Sequence, residues 1–294
     1  MKKVILGTDW WTDCDDAVAL RIITKKIKAG EIELLGVVIN ACMEYSASSL
    51  EGFLLKDGIK NVPIGLDFEA TDFGGNPPFQ KRLSVYSEKH KDNSSAVPAT
   101  RLYRKLLSDA EEKVEIFEIG FMQAFAALLQ SPPDDISSKS GMELVSEKVE
   151  KIWVMAGKWD KDGECEHNFC LNERSRKAGE YFCKNCPVPV TFLGFEVGKT
   201  VISGGNLPEG DHLLDVLRDR RSENGRSSWD PMLVLLGLIG DEEKAGYETV
   251  RGFASVDAET GANFFRRDEL GAHIYVVKKF PDEFYRDMIN EIII

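Results

Sequence analysis

Lys2-Lys3-Val4-Ile5-Leu6-Gly7-Thr8-Asp9-Trp10-Trp11-Thr12-Asp13-Cys14-Asp15-Asp16-Ala17 opens the chain, and its reading decides the fold. Val4–Leu6 is an apolar run that suits a buried first strand. The pattern then turns helical from about Asp15 to Lys28. Between strand and helix lie four aspartates in eight positions: Asp9, Asp13, Asp15 and Asp16. One or two carboxylates at a helix start cap it and meet its dipole. Four is more than capping uses. Crowded carboxylates raise one another's pKa unless a cation sits among them, and a hard divalent ion, calcium or magnesium, suits an all-oxygen set. The loop is not an EF-hand. Counted from Asp9, its sixth and twelfth positions are Cys14 and Leu20, where that motif needs glycine and glutamate.

Outward from this segment, strand-like and helix-like stretches alternate. Glu31–Ile39, Val62–Gly65, Val114–Ile119, Ile152–Met155 and Val188–Leu193 read as strands. Ser46–Leu55, Pro98–Leu107, Phe125–Leu129, Asn172–Tyr181 and Asp230–Leu238 read as helices. The alternation predicts an α/β fold, a mainly parallel sheet, mixed at its end, flanked by helices. Tyr247–Val256 and His273–Val277 read as further strands, with a hairpin through Glu259-Thr260-Gly261-Ala262, and Phe280–Ile289 as a closing helix. Residues 1–294 are expected to form a single domain. Such sheets bind ligands at the carboxyl ends of their strands. The site is therefore expected from Thr8–Asp16, Asn40–Glu44, Gly120–Ala124, Ala156–Asn168 and Gly194–Val197.

Composition agrees with a globular protein: 294 residues, 43% hydrophobic and 29% charged, with net charge -12. The acidic balance disfavours a nucleic-acid partner. No apolar run approaches a membrane span, and the start is too short for a signal-peptide core. Six cysteines lack the density of a disulfide scaffold, so a reduced, cytoplasmic protein is expected. Cys183-Lys184-Asn185-Cys186 is a lone CxxC with no second ligand pair for zinc.

The aspartate segment resembles the N-terminal motif of the inosine-uridine-preferring nucleoside hydrolases, and further resemblances follow in the family's order. Ile119-Gly120-Phe121-Met122-Gln123-Ala124 is similar to the family's glycine-led turn, Glu166-His167-Asn168-Phe169 to its ribose-holding segment, and Pro187–Gly198 to its next strand and turn. Ser228-Trp229-Asp230-Pro231 is similar to its late metal motif, and Val256–Asn263 to a segment beyond that. The likeness spans residues 3 to about 264. It implies a Rossmann-like nucleoside hydrolase fold, cleavage of a ribonucleoside to free base and ribose, and a homo-oligomer, dimer or tetramer. It also implies Ca²⁺ held by Asp9, Asp16, Asp230 and the backbone carbonyl of Gln123. Asp9 would then be general base to a water, Asp15 and Asn168 would grip the ribose hydroxyls, and Glu166 the 5'-hydroxyl.

Several residues keep two readings. Asn40 suits a ligand contact or a turn. Asp160 suits a ribose contact or a surface charge beside Lys158. Trp10 and Trp11 suit an aromatic wall or packing. Asp13 is expected to cap the first helix. His167, if on a strand, alternates away from Glu166 and Asn168. The chain departs from the family's pattern twice. Gly7 stands where an aspartate is usual, and Trp229 where many purine-active members have histidine. Indole cannot act as an acid near neutral pH, but it can stack on a base. Two rival functions remain. One is a haloacid-dehalogenase-like phosphatase, whose DxD does not form around Asp9. The other is a non-catalytic nucleoside- or ribose-binding protein on the same fold.

Overall fold

A computed structural model describes residues 1–11 and 13–294. Its strands in chain order are β1 (Lys2–Thr8), β2 (Ile32–Ile39), β3 (Ile64–Leu66), β4 (Val97–Pro98), β5 (Val114–Glu118), β6 (Val149–Met155) and β7 (Glu164–Cys165). Then come β8 (Val190–Leu193), β9 (Ile202–Ser203), β10 (Arg226–Ser227), β11 (Tyr247–Val256), β12 (Ala262–Arg267) and β13 (His273–Lys278). Among the described residues, eleven of them form one sheet in the order β4-β3-β2-β1-β5-β6-β8-β13-β11-β12-β7, and β9 pairs with β10. Every pairing from β4 to β13 is parallel, and β11, β12 and β7 extend the edge in antiparallel fashion. The architecture is α/β with a mainly parallel, mixed sheet.

Strand alternation feeds two apolar layers. Val4, Leu6, Val37, Ile39 and Phe117 face one core, with the helices Asp15–Lys28, Ser46–Lys56, Trp229–Ile239 and Asp282–Ile293. Ile5, Val38 and Ile116 face the other, with Ala99–Asp109, Gln123–Gln130 and Glu173–Asn185. Both faces of the central strands are therefore dry, which is why they read as continuous apolar runs. No helix of the described residues is long and apolar enough to cross a membrane.

The hairpin through 257–261 is present, but its second strand is β12, which the sequence reading did not anticipate; β13 pairs with the other edge of β11. Asn263-Phe264-Phe265-Arg266-Arg267 has no clean alternation, and its strand conformation rests on pairing with β11.

One register pair bears on the site from below. Gly7 of β1 lies directly opposite Glu118 of β5. A Cβ at Gly7 would fall 2.0 Å from Glu118 Oε2, so the glutamate occupies the space that a side chain there would need. Glu118 is fully buried, and the Tyr103 hydroxyl donates to its Oε1. Burial raises its pKa from 4.5 to about 8. Its folded-state pKa lies above the unfolded one. Its contribution to stability is therefore full below about 4.5 and is lost as pH rises through about 8. Glu118→Gln should gain on the wild type across that window by up to about 1.4 kcal/mol per pH unit. Urea unfolding at several pH values measures this, and parallel stability curves would show that the carboxyl is already ionised in the fold.

Candidate active site

The chain leaves β1 at Thr8 and turns sharply at Trp10, whose φ of 52° lies in the left-handed region that a bulky residue seldom adopts. Several contacts hold it there. The indole Nε1 donates to Ser49 Oγ at 2.8 Å, its carbonyl accepts from Gln80 Nε2 at 2.6 Å, and its ring meets Phe53 and Phe79 edge-on. Trp10 is thus a fully buried packing residue. Trp11 packs against Phe73, and its Nε1 donates to the Gly75 carbonyl. Neither tryptophan lines the cavity described next.

That cavity, of about 230 Å³, lies at the carboxyl ends of the central strands. It is lined by the carboxylates of Asp9, Asp13, Asp15, Asp16 and Asp230, with Glu166, His167 and Asn168 on one part of the wall and Phe195 and Trp229 on another; Ile119 and Met155 complete it. Its size suits a small ligand, below the ~300–1,000 Å³ of drug-sized sites.

Two helices aim their amino ends at it. Asp15 and Asp16 open Asp15–Lys28, and Asp230 is second in Trp229–Ile239. Neither helix has a side-chain cap, so each presents uncapped N–H groups and positive dipole to the carboxylates. The Asp230 amide donates to Asp15 Oδ2 at 3.1 Å. Asp16 accepts from the Thr8 hydroxyl and from the Trp10 amide. Asp9 Oδ1 accepts from the Trp11 amide at 2.9 Å. Pro231 sits in a first turn, where a missing N–H breaks no helical bond.

Asp9, Asp15, Asp16 and Asp230 are each no more than 5% exposed. Burial first, then mutual repulsion, pushes the pKa values of Asp15, Asp16 and Asp230 well above the carboxylate range. Ligand oxygens of those three lie within 4.8 Å of one another. Two oxygens on opposite sides of one Ca²⁺ would stand about 4.6–5.2 Å apart, so the donor set and spacing fit a hard divalent cation. The tight trio includes Asp15, which the sequence reading had assigned to the sugar.

Glu166 is the N-cap of the short helix His167–Cys170. Its carboxylate accepts from the Asn168 amide at 3.0 Å and the Gly157 amide at 2.9 Å. Burial raises its pKa to about 7, against the pull of those amides. Asn168 Nδ2 donates to the Met155 carbonyl at 2.8 Å. His167 lies on this helix, not on a strand, so the alternation argument does not apply. It lines the cavity beside Phe121, with ring centroids 5.6 Å apart.

Phe195 and Trp229 form the aromatic wall. Their rings stack with centroids 5.4 Å apart, and Trp229 Nε1 donates to the Phe195 carbonyl at 2.8 Å. The sequence reading placed Phe195 inside an expected site segment, Gly194–Val197 at the end of β8, without singling it out. Arg226 stands 5.7 Å from the Trp229 ring and donates through Nε to both oxygens of Asp13 at 3.0 Å. Asp13 therefore does not cap the first helix. The N-cap is Cys14, and Asp13 holds a cation 213 residues away.

Three expected residues lie away from the cavity lining. Gln123 starts the helix Gln123–Gln130, where a first residue points its carbonyl along the axis; its side chain donates to the Asn40 carbonyl. Asn40 is fully buried and does not line the cavity. Its Oδ1 accepts from the Phe121 amide at 3.0 Å, and its backbone N–H donates to the Thr8 carbonyl at 2.9 Å. A Cβ at Gly120 would collide with Asn40 Oδ1 at 2.7 Å and the Asp9 amide at 2.4 Å, so a glycine there lets β5 approach the turn. Asp160 is exposed on a loop and pairs with Lys158 at 2.7 Å.

No protein-family sequence model matches the chain, and no curated protein sequence does. Solved structures do match its fold. An inosine-uridine preferring nucleoside hydrolase from Bacillus anthracis aligns over 100% of this chain and 99% of its own, at 16% identity and TM-score 0.71. A plant nucleoside hydrolase aligns over 99% and 98%, at 15% and 0.74. The type III effector protein XopQ, solved with adenosine diphosphate ribose, aligns over 99% and 93%, at 14% and 0.68. From end to end, this chain has the nucleoside hydrolase fold.

Proposed function

We propose that the protein hydrolyses the N-glycosidic bond of ribonucleosides with the help of Ca²⁺. The observation that carries this reading is the meeting of carboxylates from residues 9–16 with Asp230 in one buried cavity, between a polar wall and a stacked aromatic pair. Asp9, Asp15, Asp16 and Asp230 would hold the cation, with Asp15 in the ligand set on the strength of the carboxylate trio. When bound, the ion supplies the charge that lowers the pKa of a water and binds sugar hydroxyls.

The remaining chemistry belongs to the chain. Asp9 removes the proton from the attacking water as general base. Glu166 and Asn168, locked by backbone hydrogen bonds, hold ribose hydroxyls and fix the anomeric carbon for attack. That carbon becomes oxocarbenium-like, and surrounding carboxylates favour such positive charge. Phe195 and Trp229 give the base a face to stack on. Asn40, Gln123 and Asp160 have no direct role in this reading.

Release of reducing sugar from inosine, uridine, cytidine and adenosine tests the proposal. Chelator should stop release, added Ca²⁺ should restore it, and Ca²⁺ should raise the melting temperature of the wild type but not of Asp230→Asn. Asp9→Asn should lower kcat by about 10²–10⁴-fold. Nucleoside binding without release, at saturating Ca²⁺, would replace the hydrolase with a binding protein on the same fold.

Trp229 offers the departing base no proton. A riboside with a good leaving group, such as p-nitrophenyl riboside, should therefore be cleaved at least about tenfold faster than inosine, a gap of about 1.4 kcal/mol in barrier. His167→Gln should change both rates equally. A loss confined to inosine would identify His167 as the acid.

A further inference from the structure

Beyond the carboxyl end of β3 lies a second groove, of about 780 Å³, which shares no lining residue with the acidic cavity. It is walled by the loop 67–69 and by the helices Ala99–Asp109, Gln123–Gln130 and Glu173–Asn185. Its volume falls within the ~300–1,000 Å³ of sites for small organic ligands, and strand ends are where open sheets bind them. Ala124, Ala127, Ala178 and the rings of Phe68 and Tyr181 make much of the lining apolar.

The polar groups of the lining are unevenly engaged. Gln123 is 9% exposed, and its Nε2 donates to the Asn40 carbonyl. Its Oε1 is buried and has no hydrogen-bond partner among the described residues. An orphan acceptor of this kind is costly until a donor reaches it. Asp67 is half-buried and accepts from the Glu69 amide at 3.2 Å. Burial raises its pKa, and the charge of Arg174 opposes that rise without cancelling it.

The two cations of the lining are bound to other partners. Arg174 donates to the Glu69 carbonyl and to Asp72, and Lys177 pairs with Glu173. Glu180 has Lys184 at 3.8 Å, and Glu69 is exposed. The helices Ala99–Asp109 and Gln123–Gln130 begin at the groove, and their amino ends alone would suit an anion. An anion, however, would meet Asp67, Glu69 and Glu180. What the groove offers is acceptors and negative charge set in apolar surface.

We propose that this groove binds a small organic cation, an amine or guanidine carried on an apolar or aromatic body. The charged head donates to the Asp67 carboxylate and to Gln123 Oε1, in charge-assisted hydrogen bonds. The body covers the alanine surface and the rings of Phe68 and Tyr181, whose faces also attract a cation. A bare metal ion has no body to bury against that lining. No residue of the acidic cavity takes part, so the inference stands or falls apart from the hydrolase reading.

Isothermal titration of the full chain with 2-phenylethylamine, and with 2-phenylethanol as its neutral counterpart, tests it. The amine should bind at least about tenfold more tightly than the alcohol, as a hydrogen bond to a charged group warrants. Asp67→Asn should remove that preference. Ala127→Trp, at an exposed position, should abolish binding by filling the groove. Asp230→Asn should leave binding unchanged. In the wild type, amide hydrogen exchange should slow at residues 66–70 and 123–125 when the amine is bound, a readout that needs no variant. Equal affinity for amine and alcohol, no binding of the amine, or binding that survives Ala127→Trp would each overturn the proposal. So would protection at residues 9–11 and 13–16 together with loss of binding in Asp230→Asn, which would put the amine in the acidic cavity instead.

Discussion

Four carboxylates buried together at the ends of the sheet set the terms for everything around them. Each is costly to hold ionised away from water, and each raises the cost for the others. The fold meets part of that cost with the amino ends of two helices and with hydrogen bonds from Thr8, Trp10, Trp11 and the Asp230 amide. These do not balance the charge, since Asp15, Asp16 and Asp230 still sit well above the ordinary carboxylate range. A structure that concentrates negative charge this way, from segments over 200 residues apart, is shaped to receive positive charge. In the proposed reaction the cavity meets two positive centres, the ion and the sugar carbon, so one arrangement serves both.

The geometry around that cluster divides the labour. Trp10 spends its bulk on packing and its unusual backbone on turning Asp9 inward; the half-buried Phe195 and Trp229 supply the aromatic face of the cavity. Arg226 ties the first loop to the strand before Trp229 through Asp13. That bond joins the two halves of the acidic wall, and its charge also lowers the pKa of Asp15. Local sequence rules saw Asp13 as a helix cap because an aspartate before a helix usually is one. The ion pair that takes it instead depends on folding the remote Arg226 back to the start of the chain.

What was legible in the sequence follows the same division between local and remote causes. The central parallel strands are dry on both faces, so their apolar runs announced them; the strand-end rule led to the segments that hold Asp9, Asp15, Asp16, Glu166 and Asn168, the family resemblance singled those residues out, and they share the cavity. β12 and β7 are held by pairing partners and carry little pattern of their own. His167 was misplaced because a four-residue helix is too short to show its period. Asn40 is a brace rather than part of the lining: it binds the Phe121 amide and receives the Gln123 side chain. Its strand-end position is the same as a ligand residue's; what sets it apart is that its side-chain and carbonyl oxygens are already engaged by the chain.

Gly7 shows how such a departure from pattern can be resolved by the neighbouring strand. Read alone, it is a lost carboxylate beneath the acidic turn. In the sheet it faces Glu118, whose carboxyl lies where a side chain at Gly7 would begin. The two positions cannot both carry bulk, so the glycine on β1 and the glutamate on β5 are one choice made twice. The acid group is present, but it approaches from the next strand and is sealed from water. The Tyr103 hydroxyl binds it, and burial favours its neutral form. A neutral acid there adds no charge to the four carboxylates above it, whereas an ionised aspartate on β1 would add a fifth. The exchange therefore adds no charge to the acidic cavity from below.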